Sequence, residues 1–172
     1  ACKVCQMIAK RKAPAGSCGA LKANWPGELV CVDLFKKNLF AGKVHCLSIV
    51  DVFTGYAFVV RIEHETTKDV LKGFALYCST VGVPLAVVCD NGSQLASGAF
   101  QKYMASANVD VHYAVAYSPE SNSPVERAHR DLKRIFMAMV AAAEELEEGT
   151  EADAVIHHTL CQGLITLNTS VK

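Results

Sequence analysis

The 172-residue chain has one tryptophan, five prolines and no net charge, its 17 Lys and Arg matching 17 Asp and Glu. It also lacks a long apolar run. The longest, IFMAMVAAA at 135–143, which includes FMAMVAAA, falls well short of the roughly 20 residues a membrane-spanning helix needs. No membrane partner is therefore expected, and the first residues do not read as a signal peptide. A net charge of zero argues against binding nucleic acid through bulk positive charge. No repeat and no low-complexity tract interrupts the chain. It opens on Ala1 rather than Met, as a piece of a longer protein would.

Hydrophobic residues make up 51% of the chain, enough for a single domain with its own core. Charge is unevenly placed. Arg127, Arg130, Lys133 and Arg134 cluster ahead of an acidic run at 144–153, so a local positive patch is compatible with overall neutrality. Of eight cysteines, Cys31, Cys46, Cys78, Cys89 and Cys161 sit in apolar segments, which favours buried free thiols in a reducing compartment. Cys2 and Cys5 differ: they form a C-x-x-C.

Residues 1–27 read as a linker closed by the turn signal NWPGE, with the folded domain at 28–172. ELVCVDLF, HCLSIVDV and YAFVVRI predict three strands in an antiparallel meander. TTKDVLKGFALYCSTVG predicts a helix, capped by Thr66 or Thr67 and ended by Gly82. PLAVVCD predicts a fourth strand, SGAFQKYMASAN a short helix and VDVHYAVA a fifth strand. A polar loop, YSPESNS, leads to helices at about 124–148 and 151–170. This order predicts an α/β domain: a five-stranded mixed sheet, its first three strands antiparallel, with helices on both faces.

Three acids stand out, each with an ordinary explanation. Asp33 is the only polar side chain in LVCVDLF, and a buried carboxylate must be paired, hydrogen-bonded or metal-bound. A hydrogen bond to a neighbouring loop would suffice. Asp90 ends a strand, where functional groups of α/β sheets gather, but Asp90-Asn91-Gly92 also suits a tight turn. Glu126 completes a capping box with Ser123 at the helix N-cap and Pro124 at its first position. Yet Glu126, Arg130 and Lys133 share one helix face, an arrangement equally suited to a metal site flanked by phosphate-binding groups. Asp51 reads as a turn residue, and His45, His64, His112 and the pair His157-His158 as ordinary histidines.

The combination carries more than its parts. Thirty-five residues separate Asp90 from Glu126, and Asp33 lies 57 positions before Asp90. With DNGSQ around the second acid and SPVERAHRDLK around the third, the chain from about Trp25 onward resembles the D,D-35-E catalytic core of retroviral and LTR-retrotransposon integrases, an RNase H-like fold. CKVCQ is similar to the second half of that family's zinc-binding H-x-x-x-H…C-x-x-C module. Cys2 and Cys5 would bind Zn²⁺ only with upstream histidines that this sequence does not contain. Two departures stand: Ser123-Pro124 replaces a frequent glycine, and Asn122 replaces a frequent glutamine.

The resemblance implies two-metal phosphoryl transfer on DNA. Asp33, Asp90 and Glu126 would hold two Mg²⁺ or Mn²⁺ ions, 3′-end processing preceding strand transfer into target DNA. It implies DNA contacts at Ser93, Tyr117, Ser118, Asn122, Arg130 and Lys133; the acidic Glu120 in the same loop has no explanation. It further implies a homodimer or larger multimer, working in the host nucleus after delivery in a virus-like particle or cytoplasmic nucleoprotein complex. Two alternatives remain: an RNase H-like transposase or nuclease, and a non-catalytic domesticated domain that binds DNA or mediates assembly.

Overall fold

A computed structural model describes residues 22–39 and 42–113, together with Arg130, Arg134, Leu164, Ile165, Asn168 and Thr169. The described elements run β1 (Leu29–Leu39), β2 (Gly42–Asp51), β3 (Ala57–Ile62), α1 (Thr67–Thr80), β4 (Ala86–Cys89), α2 (Gly98–Ser106) and β5 (Asp110–Tyr113). They build one mixed sheet in the order β3-β2-β1-β4-β5. β1–β2 and β2–β3 are antiparallel, while β1–β4 and β4–β5 are parallel. The meander and the α/β alternation expected from the sequence are both present.

Alternation along each strand sorts the side chains into two layers. Val30 and Val32 of β1, Leu47 and Ile49 of β2, and Val87 and Cys89 of β4 join Val70, Phe74, Tyr77, Phe100 and Met104 of the helices in one core. α1 lies close on the sheet because residue 73 is glycine: a Cβ there would come within 2.9 Å of Leu47 Cδ2. Thr66 caps α1 by accepting from Asp69 N, and Ser97 caps α2 by accepting from Phe100 N. On the opposite face Cys31 and Val88 pack with Val52, and Val50 and Ala57 pack with Val59 and Leu164.

Leu164, Ile165, Asn168 and Thr169 are helical, within the span predicted for the last helix. Asn168 closes the outer edge of β3: its Oδ1 accepts from Ala57 N at 2.8 Å and its Nδ2 donates to Ala57 O at 3.0 Å. A side-chain amide thus takes the place of a further strand on an edge otherwise open to pairing. Arg130 and Arg134 are likewise helical, within the span predicted for the helix before the last; the rest of these two predicted helices, and Ala114 to Ala116 of the predicted fifth strand, lie outside the described residues.

β1 outruns its prediction. The sequence suggested a strand ending near Phe35, but the β1–β2 ladder continues through ten pairs, from Val30↔Asp51 to Leu39↔Gly42. β4 pairs with β1 only from Leu29 to Val32, and β3 pairs with β2 only from His45 to Val50. Residues 37–39 and 42–44 therefore form a two-stranded ribbon extending past the pairings with β3 and β4.

Candidate active site

Asp33 and Asp90 come together through the parallel pairing of β1 and β4. Val32 is the register partner of Cys89, and both face the helix-covered core. Carried one residue further, the register sets Asp33 beside Asp90, on strands about 4.8 Å apart. Alternation puts Asp33 on the face opposite Val32, and Asp90 directly follows β4, so both stand at the carboxyl ends of their strands, where open α/β sheets place ligands. Asp33 is partly buried and Asp90 exposed.

Local chemistry fixes each residue. Ser48, opposite Asp33 on β2 and almost fully buried, donates from Oγ to Asp33 O at 3.1 Å. Asp90 Oδ1 accepts from Gly92 N at 3.0 Å, closing the predicted turn. Gly92 allows that approach, since a Cβ would lie 2.9 Å from Asp90 Oδ1. The turn reading of Asp90 and its place beside Asp33 are therefore compatible.

Gln94, Glu65 and Lys36 brace the loop after Asp90. Gln94 Nε2 donates to Glu65 O at 3.0 Å, and Ser93 Oγ donates to Gln94 Oε1 at 3.1 Å. Thr67 Oγ1 and Ser97 Oγ both donate to Gln94 O. The Glu65 carboxylate takes Lys36 Nζ at 3.1 Å and lies 3.5 Å from His45 Nδ1, beyond a well-formed hydrogen bond. One residue thereby links the strand bearing Asp33 to the loop bearing Asp90 and Ser93. No local pattern foretells these contacts: Glu65 and Gln94 are 29 residues apart, as are Lys36 and Glu65.

This cluster is sensitive to acid. Burial tends to raise the Glu65 carboxyl, but Lys36 and His45 outweigh it and hold Glu65 below the usual carboxylate range. A depressed folded value stabilises the fold above the unfolded value, about 4.3 for glutamate, and that stability disappears as pH falls through the folded one. Between pH 6 and pH 3 the urea midpoint of Glu65→Gln is therefore expected to fall less than that of the wild type. Equal falls would show that Glu65 is not linked to folding.

Nothing in the described thiols suggests covalent catalysis. Burial pushes Cys46 up to about 12 and Cys89 up to about 11, the latter with a contribution from the Asp90 charge, so neither is a thiolate near neutrality. Cys46, Cys78 and Cys89 are free thiols, as expected, and Cys161 lies outside the described residues. Asp51, read as a turn residue, indeed holds the β2–β3 turn.

Of the other predicted site residues, Ser93 is exposed just past Asp90, and Arg130 is exposed and helical. Glu126, Tyr117, Ser118, Glu120, Asn122, Lys133, Cys2 and Cys5 lie outside the described residues. Among the described residues no three His, Cys, Asp or Glu side chains gather at one point, so the described part of the site is a pair of carboxylates. Their oxygen-only donor set, with two like charges on adjacent strands, suits a hard divalent cation such as Mg²⁺ or Mn²⁺ and not Zn²⁺. No described helix is long and apolar enough to cross a membrane.

A family model described as integrase core domain matches residues 23–119. The Pol polyprotein of radiation murine leukemia virus (strain Kaplan) is 28% identical over 144 residues, 82% of this chain and 25% of that protein. The Pro-Pol polyprotein of simian foamy virus type 3 (strain LK3) is 25% identical over 99 residues, 58% of this chain and 9% of that protein. The chain thus spans only a small part of the curated relatives it matches. The HTLV-2 integrase catalytic core domain in complex with magnesium, in its dimeric form, superposes with a TM-score of 0.65 at 21% identity, covering 84% of this chain and 88% of that one. A chain of the simian T-cell lymphotropic virus intasome in complex with PP2A regulatory subunit B56 gamma gives 0.69 at 21% identity, covering 92% and 55%. These likenesses bear out the RNase H-like fold expected from the sequence.

Proposed function

Because the chain belongs to the integrase core domain family, we propose that it is the catalytic core of a retroelement integrase, trimming the 3′ ends of element DNA and joining them to target DNA. The observation that supports this reading is the β1–β4 register, which pairs Val32 with Cys89, the residues directly before Asp33 and Asp90. Glu126, 35 residues beyond Asp90, is assigned as the third carboxylate. Two Mg²⁺ or Mn²⁺ ions, when bound, supply activation of the attacking oxygen and charge neutralisation at the leaving oxygen of an in-line displacement.

The chain's own residues do the positioning. Asp33, Asp90 and Glu126 would together hold the ions. The Gly92 N–H holds Asp90 Oδ1, so the carboxylate keeps one orientation before metal or DNA arrives. Gln94 and Glu65 keep the Asp90 loop fixed against β1. Ser93 touches target DNA. Tyr117, Ser118 and Asn122 reach the element's DNA end, and Arg130 and Lys133 pair with its phosphates. Residues 1–27 are the linker from an upstream zinc module, in which Cys2 and Cys5 supply two of four ligands. The enzyme acts as a multimer on DNA in the host nucleus, after delivery in a virus-like particle or nucleoprotein complex.

Metal removal tests the assignment. EDTA is expected to abolish strand joining, or its reversal on a branched DNA substrate, and added Mg²⁺ or Mn²⁺ to restore it. Joining that persists in EDTA would rule out the two-metal site.

A further inference from the structure

Asn91 has no part in the site described above, yet it stands between Asp90 and Gly92 at the edge of that site. It is exposed, and residues 90–92 lie in neither strand nor helix: β4 ends at Cys89 and α2 begins at Gly98. Asn91 is the one asparagine of the chain that precedes a glycine. Glycine has no side chain to shield its own nitrogen, and its backbone turns freely. Asn24, Asn38, Asn108 and Asn168 precede Trp25, Leu39, Val109 and Thr169, whose side chains crowd that approach. The Gly92 N–H is donated to Asp90 Oδ1 at 3.0 Å. A proton acceptor therefore already sits on the nitrogen best placed to attack the Asn91 side-chain amide.

We propose that Asn91-Gly92 is a site of spontaneous deamidation, assisted by the Asp90 carboxylate, that disables the carboxylate pair. The Gly92 nitrogen bonds to Asn91 Cγ as its proton passes to Asp90 Oδ1. The Cγ–Nδ2 bond breaks, and the leaving nitrogen takes that proton from Asp90 and departs as ammonia. Water then opens the resulting cyclic imide. Cleavage of the new N–Cγ bond gives aspartate, and cleavage of the main-chain N–C bond gives isoaspartate. Water is consumed and ammonia released, with nothing oxidised or reduced. Aspartate at 91 adds a negative charge where Asp33 and Asp90 already have to receive phosphates. Isoaspartate adds a methylene to the main chain between Asp90 and Gly92, so the bond from Gly92 N to Asp90 Oδ1 is lost and the carboxylate loses its fixed orientation. The loss of function, though not the modification, rests on the reading of Asp33 and Asp90 as the DNA-joining centre.

The test ages the full chain in neutral buffer over days, with peptide mapping by mass spectrometry and DNA joining measured on the same samples. Residue 91 should convert to a mixture of aspartate and isoaspartate while Asn24, Asn38, Asn108 and Asn168 persist. Joining should fall by the fraction converted. Asn91→Gln, whose longer side chain closes a ring far more slowly, should keep its fresh activity throughout. Asp90→Asn retains an acceptor for the Gly92 N–H but cannot take its proton, so it should convert at 91 several-fold more slowly. An intact Asn91 in aged wild type, or equal conversion in Asp90→Asn, overturns the proposal. So does full joining by a converted sample, or an equal loss of joining by Asn91→Gln. A fresh wild type that never joins DNA counts against the catalytic reading, and the mapping still decides the modification.

Discussion

Asp90→Asn is expected to reduce DNA joining by roughly a thousandfold or more, the scale of losing a preorganised electrostatic group at a reacting centre, while leaving fold and DNA binding intact. Asparagine matches aspartate in shape and keeps an Oδ1 that accepts from Gly92 N, so the turn at 90–92 survives. The side chain is exposed, and a surface substitution of this kind moves stability by no more than about 0.5 kcal/mol. What disappears is one negative charge beside Asp33. Asp33→Asn should match it in activity under the proposed function, since the β1–β4 register ends at Val32↔Cys89, the residues directly before the two aspartates. Rates of end processing and strand transfer, measured with binding and circular dichroism on the same preparations, check this. Wild-type rates in either variant would remove the carboxylate pair from the chemistry.

Asp51→Ala is expected to have the largest effect on stability and none on the chemistry. Its carboxylate is 5% exposed and accepts three hydrogen bonds: Gly27 N, Thr54 N and Thr54 Oγ1, all at 2.7 Å. It ties the segment entering β1 to the β2–β3 turn, at the end of the sheet away from Asp90. Alanine would leave three partly buried donors without their acceptor, a loss of about 3 kcal/mol given that bonds to charged acceptors contribute roughly 1.5–3 each without adding fully. For a chain of this size that lowers Tm by roughly 6–12 °C. Joining activity per folded molecule at 25 °C should match the wild type. A shift under about 2 °C would show that water replaces the lost acceptor at little cost.

The sequence was most readable where a segment's own pattern decides its structure. The centres of LVCVDLF and LAVVCD become buried strands because Val30, Cys31, Val32, Val87, Val88 and Cys89 each have an apolar place to go. Thr66 and Ser97 start their helices because their hydroxyls satisfy otherwise unpaired N–H groups. The outer half of β1 was hidden. Lys36, Lys37 and Asn38 are poor strand formers by composition, and only pairing with β2 holds them extended. The brace at Glu65 and Gln94 and the clamp of Asn168 on Ala57 were hidden for the same reason, since each joins residues far apart in the chain. The pairing of Asp33 with Asp90 falls between these cases. Each acid was conspicuous in its strand, but periodicity says nothing about β4 lying beside β1. Only the motif spacing hinted at it.

Anomalous scattering from a crystal of this chain soaked in Mn²⁺ tests the central claim most directly. The account predicts a peak bound by carboxylate oxygens of both Asp33 and Asp90, weakened or absent in Asp90→Asn. Mn²⁺ bound elsewhere, with both aspartates turned away from a common point, would contradict it.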